Sequence, residues 1–180
     1  SVDGYAAFGF DPLASEGTGN ARGVELLVQK RLSEIPCYGI LSLSYGRTDF
    51  TALDGVSRPG SFDQRLIFNL SGGYRFNDKW EISTKFRLGT GTPWTPFLAS
   101  GVQDVSRYNS ERTPLFHTLD VRVDRRWNFA SWNLITYIDL QNVYNRKNVQ
   151  SYRFDYRNAR TIEDGGAIGL LPTIGISAEF

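Results

Sequence analysis

Apolar and polar residues alternate with a period of two along most of the chain. In 171–180, Pro172, Ile174, Ile176, Ala178 and Phe180 are apolar or small, while Thr173, Gly175, Ser177 and Glu179 are small or polar. This is the signature of a strand with one greasy and one polar face. Trp80, Ile82, Thr84, Phe86 and Leu88 interleave with Glu81, Ser83, Lys85, Arg87 and Gly89. Leu66, Phe68, Leu70, Gly72, Tyr74 and Phe76 interleave with Arg65, Ile67, Asn69, Ser71, Gly73 and Arg75. Leu115, His117, Leu119, Val121 and Val123 do so with Phe116, Thr118, Asp120, Arg122 and Asp124. Four less regular segments carry Val24, Leu26, Val28 and Leu32; Leu41, Leu43 and Tyr45; Trp132, Leu134, Ile138 and Leu140; and Tyr152, Phe154 and Tyr156.

The pattern predicts about eight strands, at 23–34, 38–50, 63–76, 79–90, 115–127, 131–144, 149–157 and 171–180, and no helix. Short turns fall at Glu34 to Cys37, Asn77–Asp78 and Asn128 to Ser131. Longer loops rich in Gly, Pro, Ser and Asn cover 11–22, 51–62, 91–113 and 158–169, and residues 1–10 read as the tail of another strand.

Alternation alone fits both a soluble sandwich and a membrane barrel; strand length and the placement of aromatics separate them. Soluble strands cluster near ~5–6 residues, whereas a tilted strand needs ~9–11 to cross a bilayer, and these segments reach that length. Phe76, Trp80, Trp127, Trp132 and Tyr144 lie near strand ends, as in the aromatic girdle of an outer-membrane barrel. The polar faces hold Glu25, Arg31, Arg65, Arg75, Glu81, Lys85, Arg87, Asp120, Arg122, Asp124, Asp139 and Glu179, which suits a wet or plugged lumen and not a dry core.

Composition narrows the function. With 20 basic and 19 acidic residues the net charge is +1, which excludes an electrostatic nucleic-acid binder. One Cys excludes a disulfide framework, and Cys37 with His117 are too few for a structural zinc site. No apolar run is long enough for a transmembrane helix. With no initiator Met and no signal-peptide pattern, Ser1 reads as the edge of a processed or truncated product.

Several stretches resemble the C-terminal barrel of TonB-dependent outer-membrane receptors. They are GVELLVQKRLS at 23–33, SRPGSFDQRLIFNLSGGYRF at 57–76, KWEISTKFRLGTGTPWTP at 79–96, HTLDVRVDRRW at 117–127, LITYIDLQNVYNRKN at 134–148 and LPTIGISAEF at 171–180. The resemblance implies an all-β, antiparallel up-and-down transmembrane β-barrel, with this meander of about eight strands forming part of a 22-stranded whole. Residues 1–180 are then the C-terminal part of an outer-membrane barrel domain, without the family's plug domain or TonB box. It implies a receptor in the bacterial cell outer membrane that imports a siderophore, cobalamin or oligosaccharide. The implied partners are the remaining barrel and plug, the TonB complex through the missing N-terminal part, the outer-membrane assembly machinery, and lipid or lipopolysaccharide. The alternative is a self-contained barrel of eight to ten strands with a structural or adhesive role; a soluble all-β binding protein is the third possibility.

No acid–base constellation is visible, so the chain is expected to be no enzyme and to need no cofactor or metal. The one imidazole, His117, falls on an apolar face and reads as lipid-facing or interfacial; Cys37, after Pro36 in a turn, reads as an inert thiol. Asp120, Arg122 and Asp124, at i, i+2 and i+4, share one strand face. Paired carboxylates raise glycoside hydrolysis, but the arginine between them favours a salt-bridge ladder on the lumen wall. Gly89–Thr90–Gly91 and Gly165–Gly166 read as turn glycines and not phosphate loops. Phe180, a terminal aromatic on an alternating strand, resembles the signal read by the assembly machinery. Arg160, Glu163 and Asp164 form a possible ligand-contacting set in loop 158–169. If 149–157 runs outward and the last strand inward, that loop is extracellular and Asn145–Arg146–Lys147–Asn148 is periplasmic. The assignment fails if 149–157 belongs to a loop.

Overall fold

The computed structural model describes residues 16–166 and 168–180; the expected strand tail at 1–10 lies outside them. The described chain is all-β and antiparallel. Its strands are β1 (Thr18–Lys30), β2 (Cys37–Thr51), β3 (Ser57–Pro59), β4 (Leu66–Arg75), β5 (Trp80–Gly89), β6 (Pro93–Trp94), β7 (Glu111–Arg112), β8 (Phe116–Asn128), β9 (Asn133–Gln141), β10 (Ser151–Asp155), β11 (Arg160–Asp164) and β12 (Leu171–Glu179). A single 3-10 turn covers Val105–Arg107. No described helix is long and apolar enough to cross a membrane.

Seven long strands form one continuous meander in the order β1-β2-β4-β5-β8-β9-β12. The eighth member of this sheet is the short β3, which pairs with the end of β2. Two small ladders, β6-β7 and β10-β11, stand apart from it. β1 and β12 are not paired with each other, so each leaves an open edge among the described residues.

Register carries the alternation seen in single strands across the whole sheet. One row on one face runs Cys37, Tyr74, Ile82, Val123, Ile138 and Ile174. The row beside it, on the opposite face, runs Tyr38, Gly73, Ser83, Arg122, Asp139 and Thr173. A slip of one residue in any pair would send charge to the apolar face, so the pattern fixes the register. The sheet is a single layer. No hydrophobic side chain is buried among the described residues, and Val24, Leu26, Ile138, Ile174 and Ile176 are all more than half exposed.

The two ends of the sheet differ. At one end the strands join through short turns. Asn77 Oδ1 accepts from the amides of Lys79 (2.9 Å) and Trp80 (3.0 Å), closing β4 onto β5. The Phe129 amide donates to the Trp132 carbonyl (2.9 Å), closing β8 onto β9. At the other end lie long connections, residues 52–65, 90–115 and 142–170.

The segment at 149–157 departs from expectation. It holds the five-residue β10, which pairs only with β11, while β9 pairs directly with β12. A strand that short does not span the sheet, and Tyr152 and Phe154 are engaged by aromatics of the 90–115 connection. The expected spanning strand is therefore a loop hairpin. Asn145–Asn148 and 158–169 consequently belong to one connection at the same end of the sheet, and do not lie at opposite ends. Part of the expected loop 158–169 is itself strand, Arg160–Asp164. Cys37 opens β2 and is half-buried, not held in the turn.

Candidate functional site

The polar positions of the long strands gather on one face of the sheet. Tyr38 Oη donates to Glu81 Oε1 across the intervening strand. Its ring crosses the place where Gly73 has no side chain; a Cβ there would lie 2.5 Å from the phenol oxygen. Arg75 Nε donates to Glu81 Oε2 (3.2 Å). Arg122 binds both oxygens of Asp124, with Nε at 3.0 Å from each, and stacks 3.7 Å above the centroid of Tyr137. Tyr137 in turn fills the slot left by Gly175. Two concavities open on this face. One, of about 380 Å³, lies among Arg75, Glu81, Arg122, Asp124 and Arg126. The other, of about 780 Å³, lies among Lys85, Arg87, Asp120, Arg122 and Asp139.

Asp120, Arg122 and Asp124 do share this face, but they are not one bonded ladder. Arg122 pairs with Asp124 alone, whereas Asp120 pairs with Arg87 (3.4 Å) and accepts from the Asn142 amide (2.9 Å). The pairing thus runs across strands as well as along one. His117 lies on the opposite, apolar face, in register with Leu88, and its Nδ1 is 2.7 Å from Tyr144 Oη. The face can meet a polar or charged surface through these paired side chains. Among the described residues no group of three His, Cys, Asp or Glu is placed to hold a metal ion.

A second polar concentration, absent from the sequence-based reading, locks the long loops. Asp63, 2 % exposed, accepts from the Thr48 amide (2.8 Å), pairs with Arg112 and lies 3.4 Å from Arg65. Burial pushes its carboxyl upward, but the Thr48 amide and the two guanidiniums outweigh this and hold it below the ordinary carboxylate range. Arg112 Nη1 also donates to the carbonyls of Asp63 (2.7 Å) and Gly91 (3.0 Å). Gly91 is required here, since a Cβ would collide with the Thr113 carbonyl. Asn109 donates to the Pro59 carbonyl (2.8 Å), and its amide donates to Thr95 Oγ1 (3.0 Å).

Aromatics tie the same loop to the hairpin β10-β11. Trp94 stacks on Tyr152 at 4.2 Å, and Phe97 packs 5.9 Å from Phe154. Tyr156 Oη donates to the Gly101 carbonyl (3.3 Å). In the 142–148 turn, Asn148 imitates a strand residue: its side chain accepts from the His117 amide (3.1 Å) and donates to the His117 carbonyl (3.0 Å).

Arg160, Glu163 and Asp164 do not converge. All three lie exposed on β11, where alternation puts Arg160 and Asp164 on one side and Glu163 on the other. Phe180 is 99 % exposed and stacks on Trp132 (6.0 Å), which stacks on Phe129 (4.5 Å). These rings form an aromatic cap at the short-turn end.

No family model, curated protein or solved structure matches the chain.

Proposed function

We propose that the chain is the C-terminal wall segment of a TonB-dependent outer-membrane receptor, importing a nutrient of the siderophore, cobalamin or oligosaccharide class. The observation that carries this reading is a single-layer sheet with no buried hydrophobic side chain, whose long strands turn most of their apolar positions to the same face, Leu27, Ile40, Ile67 and Ile135 excepted. In water such a face is an uncovered hydrophobic patch; against hydrocarbon it needs no cover. From His117 to Trp127, β8 advances on the order of 34 Å at ~3.4 Å per residue, and a tilt of ~45° reduces this to about 24 Å. That matches the ~25 Å apolar band of outer-membrane barrels.

Backbone groups in lipid are satisfied only when the barrel closes, so the open edges of β1 and β12 require further strands. A 22-stranded wall would supply roughly fifteen more beside these seven. The assignment to the TonB-dependent class is supported by the order and spacing of the motifs at 23–33, 57–96, 117–148 and 171–180. The charged concave face suits contact with a polar plug. Short turns then face the periplasm and the long, mutually locked loops face outward, where they form part of the ligand rim. The segment itself performs no covalent chemistry.

The coding sequence upstream of Ser1 and the behaviour of its full-length product test the reading together. A signal peptide, a plug-like domain and about fifteen more alternating strands are expected, with heat-modifiable gel migration and nutrient uptake that stops when TonB is deleted. A signal peptide abutting Ser1, or a β-rich monomer in plain buffer, would overturn it.

A further inference from the structure

We propose that the outward face carries a specific site for an anionic phospholipid at the short-turn end, with Arg125 as its phosphate ligand. The proposal rests on the wall function above. Arg125 is the one charged residue in its outward-facing row, between Trp80 on β5 and Thr136 on β9. Its guanidinium stacks 3.8 Å from the Trp127 ring centroid and 5.1 Å from that of Trp80. It forms no ion pair with any carboxylate among the described residues. Its Nε is buried and has no hydrogen-bond partner.

An arginine at this depth has no use as a wall brace, because Trp80, Trp127 and Thr136 beside it carry no negative charge. Stacking on indole occupies the faces of the guanidinium and fixes its plane; with Nε buried, the two Nη groups are the donors left for an oxyanion. A groove of about 640 Å³ runs from Arg125 between Trp127, Val123, Ile138, Ile174 and Ile176. Its walls suit an acyl chain and its end suits a phosphate. No outward position in the same row or in the rows to either side is acidic. No carboxylate there pairs with the ammonium of a zwitterionic headgroup, and the Arg125 guanidinium already lies over the Trp80 and Trp127 rings that could otherwise take it, so charge complementarity selects the anionic lipid.

The test uses the full-length protein in mild detergent, titrated with phosphatidylglycerol or phosphatidylcholine of matched chains and read by native mass spectrometry. A single interfacial cation gives about a fivefold preference for phosphatidylglycerol. Arg125→Gln should bring the two lipids to parity. Arg22→Gln, on the same outward face at the long-loop end, should leave the preference intact. Equal binding of both lipids by the unsubstituted protein would overturn the site. So would an Arg125→Gln variant that keeps the preference, or an Arg22→Gln variant that loses it equally. Should Arg125→Gln fail to fold, quenching of the unsubstituted protein's tryptophans by brominated phosphatidylglycerol must exceed that by brominated phosphatidylcholine, and equal quenching refutes the site. A protein that inserts into membranes without lipid preference removes only this site. One that never inserts removes the wall function as well.

Discussion

The two ends of the sheet are held together by different physics. At the short-turn end the contacts are turn hydrogen bonds and ring stacks: Asn77 folds its own turn, and Trp132 stacks on both Phe129 and Phe180. At the long-loop end, residues about fifty positions apart meet through buried polar groups, as Asp63 meets Arg112 and Pro59 meets Asn109. Stacked rings tolerate both water and headgroups. A buried carboxylate or amide tolerates neither the loss nor the misplacement of its partner. The turn end is therefore adaptable, while the loop end is ordered and brittle, which suits the proposed ligand rim.

Substitutions at the two ends should separate in size. Asp63→Asn leaves Arg112 and Arg65 without their shared carboxylate and should cost about 3 kcal/mol, lowering exchange protection of the Thr48 amide on the order of 100-fold. The same lock is pH-dependent. Because the Asp63 carboxyl titrates below its ordinary range when folded, its contribution is complete above about pH 4 and is lost as pH falls through the lower folded value. Protection of Thr48 should fall only on that acid side. Asn148→Ala strands the amide and carbonyl of His117 and should cost about 2 kcal/mol, seen as faster proteolysis within 142–148. Trp132→Ala, at the turn end, removes two stacks of a half-buried ring and should lower stability by only about 1 kcal/mol, read from denaturant unfolding. If Trp132→Ala proved costlier than Asp63→Asn, the contrast between the ends would be reversed.

What was legible in the sequence follows the same divide. The long strands and their facing could be read because each carries its own period-two record, and the Asn77 and Asn128 turns carry local chemistry. The charged face was legible as a set of residues, though not as a set of pairs. Arg122 chooses Asp124 while Asp120 chooses Arg87, and that choice depends on neighbouring strands. The 149–157 segment misled because Tyr152, Phe154 and Tyr156 alternate as a wall strand would. Their partners are Trp94, Phe97 and Gly101, distant in sequence, and not a bilayer. Asp63 left no local signal: a lone acid in a loop looks solvated until its distant arginine is in place.

The most direct test of the wall is the environment of consecutive residues along β5. Spin labels would be placed singly from Ile82 to Arg87 in the full-length protein, in liposomes, with Cys37 replaced by Ser. Labels at Ile82, Thr84 and Phe86 should meet dissolved oxygen and exclude a water-soluble relaxant. Those at Ser83, Lys85 and Arg87 should do the reverse, with a period of two. Equal exposure of both sets to the water-soluble relaxant would contradict the wall function.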